Sequence, residues 1–96
     1  MSFAEFQASL DHDAPPAGLS PALTALWHDG RGDWEQAHRC VQDDPSPEAA
    51  WVHAYLHRKE GDAGNAAYWY ARARRPVCDS ELAQEWESIA RALPGV

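Results

Sequence analysis

The chain has 96 residues, a formal net charge of −7, and five tryptophans, three tyrosines and two phenylalanines. This length predicts a single domain, residues 1–96, with enough large aromatic side chains to fill one core. Because an acidic protein repels phosphate groups, we expect neither a nucleic acid nor a membrane as a partner.

The sequence shows no recognisable signal for secretion, for membrane spanning or for cysteine chemistry. The N-terminal residues lack the basic and apolar regions of a secretory signal, and no segment approaches the roughly 18–20 apolar residues of a membrane span. Cys40 and Cys78 fit no metal or disulfide motif. We therefore expect a cytoplasmic protein with reduced thiols and no cofactor.

The first predicted element is a short amphipathic helix within residues 1–11. Phe3, Phe6 and Leu10 follow the i, i+3, i+7 spacing of one helical face. A connection rich in proline follows. Ser20 then predicts a new helix start, because serine is a good cap and the proline after it suits the first helical position.

Two helix–turn–helix units are predicted next, at residues 19–44 and 46–75. In each unit a Ser-Pro pair begins the first helix, and a Gly-Asp pair forms the turn to the second. A shift of 29 residues aligns five identities: Ala25 with Ala54, His28 with His57, Gly32 with Gly61, Asp33 with Asp62 and Ala37 with Ala66. Such self-similarity is typical of stacked repeat units.

A last helix is predicted at residues 79–94, with Asp79 or Ser80 as its cap and four residues on its apolar face: Leu82, Trp86, Ile89 and Leu93. A solvated face is typical of its acidic positions, Glu81, Glu85 and Glu87. No segment alternates with period two for long enough to form a strand. The prediction is an all-α domain of two stacked antiparallel helical hairpins with a flanking helix at each end.

The two units resemble the tetratricopeptide repeat and its shorter relative, the Sel1-like repeat. The match in the second unit consists of small and aromatic residues at characteristic spacings around the turn: Ala54, Gly61, Asp62, Ala66, Tyr70 and Ala73. The first unit matches less fully, because Asp44 stands where the last alanine is expected. The resemblance covers residues 19–75. It implies a stack that binds a peptide segment of a partner protein on its concave face.

By this resemblance, the first helix of each unit lines the concave face. The residues that we expect to bind the peptide form an aromatic–basic strip, Trp51, Tyr55, Arg58 and Lys59. Aromatic side chains beside arginine are typical of interface hot spots, and the basic pair favours a peptide that carries a carboxylate. Alternatively, the N-terminal helix fills this groove, since Phe3 and Phe6 also need burial.

A second interpretation is a metal or small-molecule site that uses histidines and aromatic residues between the hairpins. His53 and His57 lie four residues apart on one helix, a spacing that zinc-binding helices use, and His28 occupies the repeat position equivalent to His57. The sequence does not single out a further ligand among His38, Cys40 and the acids. Histidines without a full ligand set are more often hydrogen-bonded inside a core.

Catalysis is not predicted, because the chain lacks nucleophile-elbow, metalloprotease and phosphate-loop motifs. Residues 31–33 spell the adhesion tripeptide Arg-Gly-Asp, but they coincide with the repeat turn, where glycine provides backbone freedom and aspartate caps a helix. We therefore expect a non-catalytic adaptor whose partner is an unknown protein or peptide. Association into a homo-oligomer is a further option.

Overall fold

The structure is a computed structural model that describes all of residues 1–96. It contains no strand and six α-helices: α1 (Phe3–Ala8), α2 (Pro21–Gly30), α3 (Trp34–Val41), α4 (Pro47–Glu60), α5 (Ala63–Ala73) and α6 (Leu82–Ala92). A turn of 3₁₀ helix, Ser9–Asp11, extends α1. The radius of gyration is 12.1 Å, close to the value of about 13 Å for a compact chain of 100 residues. The all-α prediction is confirmed.

Four helices begin at the predicted caps. The side chains of Ser20, Asp33, Ser46 and Asp62 each accept a hydrogen bond from the backbone N–H three residues further along. The turn before each aspartate needs a left-handed backbone, with φ of 83° at Gly32 and 91° at Gly61. Glycine adopts this conformation without the steric cost that a side chain would bring. Local sequence signals therefore define α2 to α5.

The last helix begins later than predicted. Glu81 is its N-terminal cap residue and makes no side-chain capping bond, so neither Asp79 nor Ser80 caps α6. Ser80 is engaged elsewhere. Its hydroxyl contacts the thiol of Cys78, and its carbonyl accepts a hydrogen bond from Arg58. The hydroxyl that could have capped the helix therefore contacts a thiol two residues before it instead.

The helices pack as neighbours in sequence, with α2 against α3 and α4 against α5. Buried alanines at matching repeat positions allow the backbones of each pair to approach closely: Ala25, Ala37, Ala54 and Ala66. The longest helix, α4, also contacts α2, α3 and α6. It is the central element of the molecule, and its sides face different neighbours.

The main core joins α1, α2, α4 and α6, with a contribution from α3. Trp86 of α6 joins α6 to α2 and α1, because its indole N–H donates to the carbonyl of Leu26 at 2.9 Å and its ring stacks on Phe6. The groove between α2 and α4 is therefore filled by α6, with α1 packed against Trp86. The sequence left open whether the N-terminal helix fills this groove; it does not do so alone, because α6 contacts both α2 and α4.

The N-terminal segment is tied to the end of α2 by side-chain hydrogen bonds. Arg31 donates to the carbonyls of Leu10 and His12, both at 2.6 Å, and the indole of Trp27 donates to the carbonyl of Ser9 at 3.1 Å. The first residue of the Arg-Gly-Asp tripeptide therefore anchors the N-terminal segment.

Candidate metal centre

Three histidine side chains meet on one side of α4. This helix carries His53 and His57 one turn apart, and α3 brings His38 against them. Nε2 of His38 lies 3.1 Å from Nε2 of His53. One ring nitrogen from each of the three residues lies within 4.8 Å of the other two. We call these three residues the histidine cluster.

His57 is oriented by a carboxylate on its own helix. Its Nδ1 lies 2.6 Å from Oε2 of Glu60, three residues further along. In the neutral ring the proton is then on Nδ1, because the carboxylate accepts it, and Nε2 keeps a free lone pair. A carboxylate on the second nitrogen is the usual arrangement of a metal-binding histidine, since it sets the tautomer and the ring orientation.

Two tryptophans hold the other rings of the histidine cluster in place. Trp34 stacks on His38 with the ring centroids 5.0 Å apart and the planes at 7°. Its indole N–H donates to the carbonyl of Leu56 at 2.8 Å, which fixes the tryptophan against α4. Trp69 of α5 stacks on His53 with a centroid distance of 3.9 Å. The rings therefore have little rotational freedom before any ligand binds.

Burial keeps two rings of the histidine cluster, those of His38 and His53, uncharged. His53 is 4% exposed and His57 is 8% exposed, while His38 is half-buried. Burial, reinforced by the neighbouring His38 and His57, lowers the pKa of His53 to about 4. Burial also lowers the pKa of His38. Both rings are therefore neutral at pH 7, which is the form of histidine that binds metal ions.

One nitrogen in the histidine cluster has no hydrogen-bond partner. Nδ1 of His53 is buried and unpaired. An unpaired polar atom in a core costs about 1–3 kcal/mol of folding free energy. An apolar side chain of similar size at this position would avoid that cost. The unpaired atom is Nδ1, whereas Nε2 is the nitrogen of this ring that faces His38.

The geometry suits a tetrahedral divalent metal ion. Two nitrogens that bind such an ion at about 2.0–2.1 Å lie about 3.3 Å from each other. The nitrogens of His38 and His53 are 3.1 Å apart and share a hydrogen bond, and the nitrogen of His57 lies within 4.8 Å of both, so the three rings must draw together to bind an ion. The donors are all imidazoles, and neither Cys40 nor Cys78 belongs to the set.

The sequence interpretation grouped His53, His57 and His28. The structure brings the first two together but places His28 at the C-terminal end of α2, beside the ring of Trp27 and outside the histidine cluster. The third position belongs to His38. The repeat alignment pairs equivalent helices, α2 with α4, whereas the helix that brings the third imidazole to α4 is α3. In the sequence, the tryptophan one turn before His38 is the signal that could have identified this face of α3.

The predicted aromatic–basic strip lies on the other side of α4, where α6 packs. Tyr55 is 2% exposed, and its hydroxyl donates to the carboxylate of Asp29 at 2.8 Å. Burial and then Asp29 raise the pKa of Tyr55 far above its ordinary value, so the hydroxyl remains a donor. Lys59 lies 2.9 Å from the second oxygen of the same carboxylate. These two residues of the strip are therefore engaged within the fold.

The remaining two residues of the strip are also occupied. Arg58 forms an ion pair with Glu85 at 2.8 Å, and Tyr70 donates to the other oxygen of that carboxylate. Glu85 is 3% exposed, so the prediction that it lies on a solvated face is wrong. Trp51 is half-buried, with the guanidinium of Arg75 3.9 Å from a ring centroid. A peptide could reach the whole strip only by displacing α6.

The largest surface cleft, about 380 Å³, lies beside this ion-pair network. Its polar floor is formed by Asp29, Tyr55 and Lys59, which already bond to one another. Leu10, Leu82 and Trp86 line the apolar walls together with smaller residues. The polar groups on the floor of this cleft already have hydrogen-bond or ion-pair partners within the protein. They are therefore less available to bind a ligand than the nitrogens of the histidine cluster.

Comparison with known proteins does not extend this description. No protein-family model, curated protein or solved structure matches the chain. None of the six helices combines the length and the apolar character that crossing a membrane requires. The histidine cluster is therefore a candidate metal centre on the basis of its geometry.

Proposed function

We propose that this protein binds one divalent transition-metal ion between α3 and α4, with His38, His53 and His57 as ligands. The observation that carries the proposal is the convergence of three imidazoles from two helices, with one nitrogen of each inside 4.8 Å. A helix contact that served packing alone would be better stabilised by apolar side chains, since one buried nitrogen here is unpaired.

The donor set narrows the choice of metal. Imidazole suits zinc, copper, nickel and iron, whereas calcium and magnesium require oxygen ligands and copper(I) prefers sulfur. Zinc is the first ion to test, because it accepts tetrahedral nitrogen coordination and has no redox chemistry of its own. The proposed function is non-catalytic metal binding.

The scaffold that we propose for the site is a stack of two tetratricopeptide-like hairpins, α2–α3 and α4–α5. A bound ion would link the second helix of the first hairpin to the first helix of the second. Metal binding would then stabilise the packing of one hairpin on the other. With free zinc at 100 times its dissociation constant, the gain in folding free energy is about 2.7 kcal/mol.

The test is a calorimetric titration of tag-free, metal-free protein with zinc, together with thermal unfolding. We expect one zinc ion per chain and a higher melting temperature. His38→Ala removes the half-buried ligand on α3, and we expect it to weaken zinc binding by more than about 100-fold. His28→Ala is the matched control, because His28 lies outside the histidine cluster, and it should bind zinc like the natural sequence.

Circular dichroism of both variants separates a lost ligand from a lost fold. Two results would reject the proposal. One is a natural chain that takes up no zinc, and the other is an equal loss of affinity in the two folded variants.

A further inference from the structure

The number of donors in the histidine cluster determines what kind of metal site it can form. Three side chains supply atoms within 4.8 Å of one another, and all three are imidazoles. A tetrahedral ion has four positions. Structural zinc sites fill all four with protein groups, whereas sites with three protein ligands keep the fourth for water or another small molecule.

Glu60 is the carboxylate nearest to the histidine cluster, and its position argues against its being the fourth ligand. It bonds to Nδ1 of His57, on the opposite side of the ring from Nε2. It shares a separate group with His57 and Asp62 and lies outside the group that contains His38 and His53. Glu60 therefore orients a ligand rather than completing the coordination.

Charge and space indicate what could occupy the fourth position. Three neutral imidazoles do not offset the charge of a divalent ion, so a ligand with one negative charge is favoured electrostatically. None of the four surface clefts is lined by His38, His53 or His57, so the ligand must be small. His38 is half-buried and gives the site a side that solvent can reach.

From these observations we infer that a metal ion bound by the histidine cluster keeps one exchangeable position, which takes a small monodentate anion and, without one, water. The inference rests on the proposed function, because it requires a bound metal. It makes the site an open one, whose fourth position exchanges its ligand while the three imidazoles link α3 to α4.

The test uses the full chain loaded with cobalt(II), whose visible absorption reports on its ligands, and titrates it with azide. We expect a saturable change in the cobalt spectrum with one azide per metal. Glu60→Ala is the second variant: because Glu60 orients His57, this variant should bind cobalt more weakly, but once loaded it should respond to azide as the natural chain does. His28→Ala is the control for a histidine outside the site and should also respond like the natural chain.

The possible outcomes separate this inference from the proposed function. If cobalt is not taken up before azide is added, metal binding itself is rejected. If cobalt is bound with a tetrahedral spectrum that azide does not change, metal binding stands and the exchangeable position is rejected. A response that appears only in Glu60→Ala would make Glu60 the fourth ligand and overturn the inference. Light scattering that shows a metal-dependent dimer without an azide response would assign that position to a second copy and overturn it as well.

Discussion

The two sides of α4 bury polar side chains in different ways. Toward α2 and α6, each buried carboxylate has a cationic partner, since Asp29 pairs with Lys59 and Glu85 pairs with Arg58. Toward α3 and α5, the same helix buries imidazoles, and one nitrogen of His53 has no partner at all. On one side, every buried charged group has a partner and the network holds helices together. On the other side, a buried imidazole nitrogen has no hydrogen-bond partner.

This difference indicates which side is structural and which is available for binding. A fully paired buried network specifies one arrangement of the helices, and breaking one partner leaves an uncompensated charge. In the histidine cluster, His38 and His53 share one hydrogen bond while Nδ1 of His53 is unpaired, so the protein does not satisfy every imidazole nitrogen. The expected consequences of substitutions on the two sides therefore differ in size, and in one case in sign.

The largest effect is expected from Glu85→Ala. It leaves Arg58 without its counter-ion and removes the acceptor of Tyr70, so we expect a loss of about 3–5 kcal/mol of unfolding free energy in urea titrations. Glu87→Ala is the matched control on the same helix, because Glu87 pairs only with the exposed Arg91, and we expect a loss below about 1 kcal/mol. Similar losses in both variants would show that the buried network is not what holds α6.

A pH effect should come from the other side of α4. His53 has an ordinary pKa of 6.5 in the unfolded chain, whereas in the folded chain its pKa is lowered to about 4. As the pH falls through this interval, the unfolded state binds a proton that the folded state does not. The metal-free protein should therefore lose stability from about pH 6.5 to pH 4, by up to about 3 kcal/mol.

The measurement is urea unfolding in the presence of a chelator at several pH values, for the natural chain and for His53→Leu. The variant lacks the titrating group, so its stability should fall less over the same interval. Because burial lowers the pKa of His38 in the same direction, a part of the effect should remain in the variant. Parallel curves for the two proteins would contradict a buried neutral His53.

A smaller pair of effects compares the two sides directly at neutral pH. Tyr55→Phe removes a hydroxyl that donates to a buried carboxylate, so we expect a loss of about 1–3 kcal/mol. His53→Leu removes a ring with an unpaired nitrogen, so the metal-free variant should be about as stable as the natural chain or slightly more stable. It should nevertheless fail to bind zinc. Thermal unfolding with and without zinc measures both quantities, and a strongly destabilised metal-free His53→Leu would show that the imidazole is a packing residue.

Much of the secondary structure could be predicted because its signals are local. A Ser-Pro pair or a Gly-Asp pair acts through hydrogen bonds that reach only three residues along the chain, and these bonds are present at the starts of α2 to α5. The prediction was wrong at α6, where Ser80 contacts Cys78 and Arg58 instead of capping the helix. Two of the three residues of the histidine cluster could also be predicted, since a spacing of four residues places His53 and His57 on one face of a helix.

The sequence by itself therefore determined that the protein is helical, where most of its helices begin, and that His53 and His57 share one face of α4. Only the tertiary structure decided what covers each side. Phe6 and Trp86 both need burial, and their mutual packing places α6 in the groove with α1 against it. The crossing of α3 over α4 likewise selects His38 rather than His28 as the third imidazole. Such choices depend on which apolar faces bury one another, and that is a property of the whole set of helices rather than of any one segment.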